Sequence, residues 1–457
     1  MKTDKRTVTV VATGARLLVG AVVAVGCVAA TMAATVAPWP VLAHTPASTQ
    51  VSTVPGDPVL VCSGPFRALG RDAQSAQQME SAGEGRVTVD GDPVSPERTV
   101  IATPEVSGDG AAVFTGAVEG RESAAIAASE SLQLQEEDLS GLAASACAPT
   151  STQSWIVGGS VDTGANDVLV LSNPGAVPAT VTLTVYGGAV NPTTTVVPAQ
   201  TQVALPFASI AAGAEDPVVR VTAEGAPVRA VLQSALTRIL DPAGADLQGS
   251  AGEASRTLRF AGVQVVAPSE GTATDAIRLL SADSDTEARV VVRDDEGDIA
   301  AEFSVPLTAG TPLDVALADL EIDTYSVEVT AEADVIGAIW QSEGAAAGTD
   351  FAWMTPATPL TGENLFAVPS GPAPKLHLVN STDQDVSVML AAPGGGEREV
   401  IVPAGAAELV TVRASTVYTL ASDGEVVAAV TMTGEGRLAG WPVFPSRTDQ
   451  SEITVYP

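Results

Sequence analysis

The sequence predicts an all-β chain: tandem immunoglobulin-like antiparallel β-sandwiches behind a single N-terminal transmembrane helix. Three observations carry that prediction. The first is an apolar stretch near the N-terminus, the second a composition suited to short strands, and the third a strand pattern that the chain writes three times.

Leu17 to Ala37 ("LLVGAVVAVGCVAATMAATVA") hold no charge over 21 positions. As a helix at about 1.5 Å per residue the stretch reaches roughly 30 Å, the thickness of bilayer hydrocarbon. Lys2, Lys5, Arg6 and Arg16 precede it against Asp4 alone. The positive-inside rule then keeps the N-terminus cytoplasmic and places everything after Pro38 outside. Residues 1–43 are therefore expected to form a cytoplasmic tip and signal-anchor helix in the cell membrane, because the run exceeds the ~7–15 residues of a signal-peptide core. Cleavage after "VLA" before His44, and lipid attachment at Cys27 in "AVGC", are the competing readings. All three export the body.

The composition suits strands. Hydrophobic residues make up 46%, mostly Ala and Val, and aromatics only 4%. Branching at Cβ packs Val and Thr well on a pleated surface, and Gly 42 and Pro 31 supply turns. The net charge is −32, and the basic N-terminus makes the exported part more acidic still. Such a body repels phosphate backbones, which argues against nucleic acid as a partner. It also keeps a β-rich protein soluble.

Only Cys62 and Cys147 follow the apolar stretch. One pair in an oxidising compartment reads most simply as a disulfide. A thiol nucleophile or a metal pair has no supporting neighbours. Residues 44 to 54 read as a polar stalk, with an edge strand in "PVLVCSGPFR" from Pro58. "SESLQLQEEDLSGLAAS" reads as a turn or two of helix. The whole of 44–150 is expected to be a stalk and an irregular disulfide-closed segment packed on the first sandwich.

The triplication follows. "VLVLSN" from Val168, "AIRLLS" from Ala276 and "LHLVNS" from Leu376 are equivalent strands, and "VTLTVYG", "ARVVVRD" and "VSVMLAA" follow them. Asn173, Ser281 and Asn380 occupy matching positions, a period of about 100–108 residues. That period is a domain and not a solenoid repeat. Each copy carries about seven short strands separated by turn signals, the pattern of a sandwich. The last two strands are expected to pair as a hairpin. The expected sandwiches span 151–240, 256–345 and 351–446, with 447–457 a C-terminal tail.

Chemistry-bearing motifs are few. The chain has no P-loop, H-E-x-x-H, dinucleotide fingerprint, CxxC or G-x-S-x-G. His377 lies in "KLHLV" and reads as a surface strand residue. Asp283, Asp285 and Glu287, and Asp294, Asp295, Glu296 and Asp298, flank one strand. They are candidate oxygen ligands for Ca²⁺, set against the plainer reading of solvated turns. Trp340 and Trp353 are candidate ligand-stacking residues, set against core or interdomain packing. No catalytic residue and no cofactor is assigned.

The run "SWIVGG…LVLSNP…ATVTLTVYG…VVPA" over 154–199, with the early "LVCSGP" and the N-terminal anchor, resembles an uncharacterised family of secreted, membrane-anchored actinobacterial proteins, the domain of unknown function numbered 5719. The resemblance implies a location in the cell envelope and offers no catalytic residue. The function expected from all this is non-enzymatic. The chain would be a membrane-anchored, extracytoplasmic arm that binds or scaffolds an envelope protein or glycan. The alternative is a carbohydrate-binding or carbohydrate-active protein.

Overall fold

The three written repeats fold as three antiparallel β-sandwiches. A computed structural model describes residues 5–36, 49–52, 56–69, 79–104, 106, 109–119, 122–189, 192–267, 274–446 and 452–455. The chain divides into two units, Met1–Thr53 with Ser451–Pro457, and Val54–Gln450.

Among its described residues the smaller unit holds one helix, Lys5–Val36. Within it Ala15–Ala33 is long and apolar enough to cross a membrane, and it is exposed. By length and composition such a helix is compatible with an anchor or a signal sequence. Part of the expected stalk and part of the expected tail are strands that pair with each other: Thr49–Ser52 lies antiparallel to Glu452–Val455. Residues 44–48 and 53–54 of the stalk, and 447–451 and 456–457 of the tail, lie outside the described residues.

In the first sandwich one sheet runs Gln153–Val157, Val218–Glu224, Ala179–Tyr186 and Thr193–Val197. The other runs Thr201–Pro206, Val168–Asn173, Arg229–Arg238 and Asp241–Gly249. Alternation decides the inner face: Val181, Leu183, Leu169 and Leu171 fill the core between the sheets. The second sandwich repeats this with Val290, Val292, Ile277 and Leu279, and the third with Val388, Leu390, Leu376 and Leu378. The matched turn positions do matching work. Buried Asn173 donates to the carbonyls of Val177 and Val197. Buried Asn380 donates to Gln384 and Val402, and the Ser281 hydroxyl donates to Ser284.

Two features depart from the expected copy. The last pair is no hairpin. In the second sandwich it is one strand, Asp323–Ser342, and in the third Thr416–Gly434. Residues 323–331 pair within one sheet and 336–342 within the other. The strand passes from sheet to sheet, and its burial changes with it: buried and half-buried residues alternate in the first half, while the second half is buried on both faces. Each copy also has a further strand, Asp241–Gly249, Phe351–Met354 or Arg437–Pro442, paired to the second half. The boundaries therefore move. The first sandwich extends to Gly249, the second ends at Met354, and the third begins at Leu360. Phe351–Met354, expected to open the third sandwich, closes the second.

The segment before the first sandwich is not irregular. One sheet joins Ser140–Ala146, Ala125–Gln135 and Arg86–Asp92, and another joins Val59–Val61, Ala112–Thr115 and Glu97–Val100. The stretch read as helix is two of these strands, connected through Glu136–Leu139. "LQLQ", residues 132–135, alternates apolar and polar with period two, and that signal wins. The Cys62–Cys147 disulfide ties the ends of two strands from different sheets. The segment packs on the first sandwich through Phe66, Leu134 and Val231, and on the third through Ala125, Ala127 and Leu365.

These four modules do not form an extended arm. Ser140–Ala146, Asp241–Gly249, Phe351–Met354 and Arg437–Pro442 pack in cyclic order around one central seam. Small side chains at Ala143, Ala245, Ala352 and Ala439, all fully buried, allow four strands to approach so closely.

A candidate ligand cleft between the first two sandwiches

Strand parity builds this site. In Ala276–Leu280, Ile277 and Leu279 face the core, so Arg278 faces outward. The strand on each side continues that outer face. Asp314 stands opposite Arg278 in register, and Trp340 stands opposite both Ala276 and Trp353. The outer face of the second sandwich thus carries an arginine, a carboxylate and an aromatic group. Trp340 stacks on Phe351 with ring centroids 4.4 Å apart, and meets Trp353 edge-on at 5.3 Å.

The first sandwich covers part of that face. Trp155, Val157, Tyr186 and Val218 pack against Leu280, Ile336 and Phe351 in one buried cluster. Beside it a cleft of about 520 Å³ remains, lined by both sandwiches. Trp340, half-buried, forms its aromatic wall, and Asp162, Glu215 and Asp216 form much of the opposite side.

Arg278 holds the floor. Its Nε and Nη2 grip Asp314 at 2.7 and 2.8 Å, and Nη2 also reaches Asp216 at 3.2 Å. Its Nη1 donates to the carbonyls of Gly159 and Pro217 at 3.1 and 3.2 Å. The guanidinium carbon lies 5.2 Å from the centre of the Trp353 ring, a cation–π contact. Gly159 sits at φ +82°, where a Cβ would come 2.8 Å from the Phe207 ring, so only glycine presents its carbonyl here.

Two carboxyl groups of the site are displaced upward. Burial raises Asp167 to about 6, against the Ser160 N–H that donates to it at 2.8 Å. Burial also raises Asp216, and the charge of Asp314 adds to the rise while Arg278 opposes it.

The residues singled out in the sequence fare differently. Trp340 and Trp353 come together in the cleft, on adjacent strands. Trp155 and Trp441 are buried in packing. The two acidic clusters lie at opposite ends of the strand Thr286–Arg293. The Asp285 and Asp294 carboxylates accept turn N–H groups from Ala309 and Asp298, and Asp283, Asp295 and Glu287 are exposed. Among the described residues the one grouping of three with metal-ligand reach is Cys62, Glu130 and Cys147, whose sulfurs are bonded to each other. His377 is not a surface residue. It is 4% exposed, with Nε2 2.7 Å from the Thr431 hydroxyl, because the second sandwich covers the outward face of its strand. No motif marks Arg278, Asp216 or Asp314 in the sequence, although the parity of "AIRLL" already points Arg278 away from the core.

No curated protein matches the chain. The solved structure of a tetra-tandem repeat in the extending region of a large adhesion protein is 13% identical, over 85% of this chain and 98% of that one, with a TM-score of 0.13. A likeness at that score carries no argument about function. The family model described as a family of unknown function, DUF5719, matches residues 102–435, and the chain belongs to that family.

Proposed function

We propose that this chain is a non-enzymatic binding protein of the cell envelope. The helix Ala15–Ala33 tethers it to the cytoplasmic membrane, and the Val54–Gln450 body lies outside and takes a ligand in the cleft between the first two sandwiches. The observation that carries this reading is the convergence of an aromatic wall and several carboxylates on one concavity formed by two modules. Concave sites with apolar walls and a few placed polar groups are where small ligands bind. A second reading, a carbohydrate site, is favoured by Trp340 lying opposite Trp353 and by the proximity of Asp216 to Asp314. An indole face stacks on a sugar ring, and carboxylates accept hydroxyl protons.

The test is a tryptophan-fluorescence and calorimetric titration of the full chain in detergent micelles. The probes are small envelope fragments: neutral sugars, amino sugars and short peptides. Saturable binding that disappears in Trp340→Ala supports the reading. Binding indifferent to Trp340→Ala moves the site elsewhere, and turnover of any fragment overturns the non-enzymatic assignment.

A further inference from the structure

Charge in the cleft narrows the ligand. Arg278 is the one cation among the lining residues, and its guanidinium is full. Five N–H bonds meet five acceptors, on Asp314 twice, Asp216, Gly159 and Pro217. No donor of Arg278 is left for a carboxylate, phosphate or sulfate. Two carboxylates share that one positive charge, so one negative charge stays over, and Asp162 and Glu215 stand exposed on the same wall. The cleft is anionic within a chain already at −32.

The aromatic wall points the same way by independent physics. A ring face attracts cations through its quadrupole. The site already uses this attraction once, with Arg278 over Trp353 at 5.2 Å.

We propose that the cleft takes a ligand bearing a protonated amine on an apolar stem or ring, with the ammonium lodged between the Trp340 ring and the carboxylates of Asp162, Glu215 and Asp216. This rests on the cleft being the binding site proposed above. The amine belongs either to an amino sugar or to a lysine-like side chain of a peptide, and the test separates the two sources.

The full chain in detergent micelles is titrated calorimetrically with two matched pairs: glucosamine against N-acetylglucosamine, and a lysine tripeptide against its Nε-acetylated form. The amine member of one pair should bind about tenfold or more tighter than its acetylated partner, and more weakly as salt is added. The pair that responds identifies the source. Asp162→Asn with Glu215→Gln, two exposed positions, the first keeping an oxygen for the Ser160 hydroxyl, should weaken binding about tenfold, and Trp340→Ala should remove it. If the acetylated and free forms bind alike and Trp340→Ala still abolishes binding, the charge assignment falls and the cleft stands. If an amine binds but ignores all three substitutions, the cleft itself falls. If neither amine binds, the inference is overturned.

Discussion

The Asp350 carboxylate accepts the backbone N–H of Leu142 at 2.8 Å, across 208 positions of sequence. The same group accepts Ala245 at 3.0 Å, Leu438 at 2.9 Å and the N–H of its neighbour Phe351 at 3.0 Å. One side chain therefore fastens the inner strands of all four modules at the central seam. Burial pushes its carboxyl well upward, and these four donors pull the other way. Gly141 and Gly244, at φ +146° and +115°, leave room for it: a Cβ on either would stand 2.7 Å from Asp350 Oδ1.

Asp350→Ala orphans N–H groups at the seam, each costing about 1–3 kcal/mol when buried. The variant should lose at least about 3 kcal/mol of stability, read as a fall in Tm and faster proteolysis between modules. Asp350→Asn should fare little better, because its amide would aim N–H bonds at two of the four donors. An unchanged Tm in both variants would show that the modules are held without this carboxylate.

A pH dependence follows from the buried acids. Asp246 is fully buried and accepts the backbone N–H of Trp353 at 2.9 Å. Burial raises it to about 7, against about 3.9 in the unfolded chain. Between those values the fold holds a proton that the unfolded chain has released, so stability falls as pH rises through the window. The slope from one group is at most about 1.4 kcal/mol per pH unit. Asp275, raised to about 7, and Asp167, raised to about 6, act in the same direction, again through burial. The wild-type Tm should decline from pH 5 to pH 7, and less steeply in Asp246→Asn. An equal decline in the variant would remove Asp246 from the account.

The three sandwiches were legible in the sequence, whereas the N-terminal module and the assembly of the four were not, for a physical reason. Period-two alternation in "VTLTVYG" and "ARVVVRD" is local, and so are the turn positions Asn173, Ser281 and Asn380. Alternation names an outward face without saying whether water or another module meets it. The outward faces that carry Arg278, Trp340 and His377 meet other modules, and nothing local in "AIRLL" or "KLHLV" marks that. The inner strands escaped for a second reason. "SGLAAS" and "AGADLQG" are rich in small residues, because four strands meet there, and such runs lose the large-and-polar contrast that periodicity needs.

His377 gives a prediction of opposite sign. Burial, with Lys375 adding to it, lowers its imidazole to about 3, against about 6.5 when unfolded. From pH 6.5 down to about 3 the unfolded chain binds the extra proton, so this residue costs stability as the solution is acidified. The NMR signature of its ring should remain that of neutral imidazole at pH 5, hydrogen-bonded to Thr431. A ring that titrates near 6.5 in the folded protein would mean that the second and third sandwiches do not close over it.

The disulfide makes the last prediction. Cys62 and Cys147, 85 positions apart, are both buried, and the intervening chain contributes strands to both sheets of the N-terminal module. A closed loop of that length stabilises by about 4.5 kcal/mol in the entropic account. Beside it the buried Glu130 accepts the Ser63 N–H, and burial raises its carboxyl. Cys62→Ser with Cys147→Ser should therefore lower Tm and expose the N-terminal module to protease first, leaving the three sandwiches intact longer. The chain has three cysteines, of which Cys27 is free. A full-length sample denatured without reductant should take up one thiol label, and three after reduction. Three labels without reduction would mean that the two sheets are held by their small core of Cys62, Phe114 and Ala128 with no covalent tie, and the module's stability would then owe nothing to loop closure.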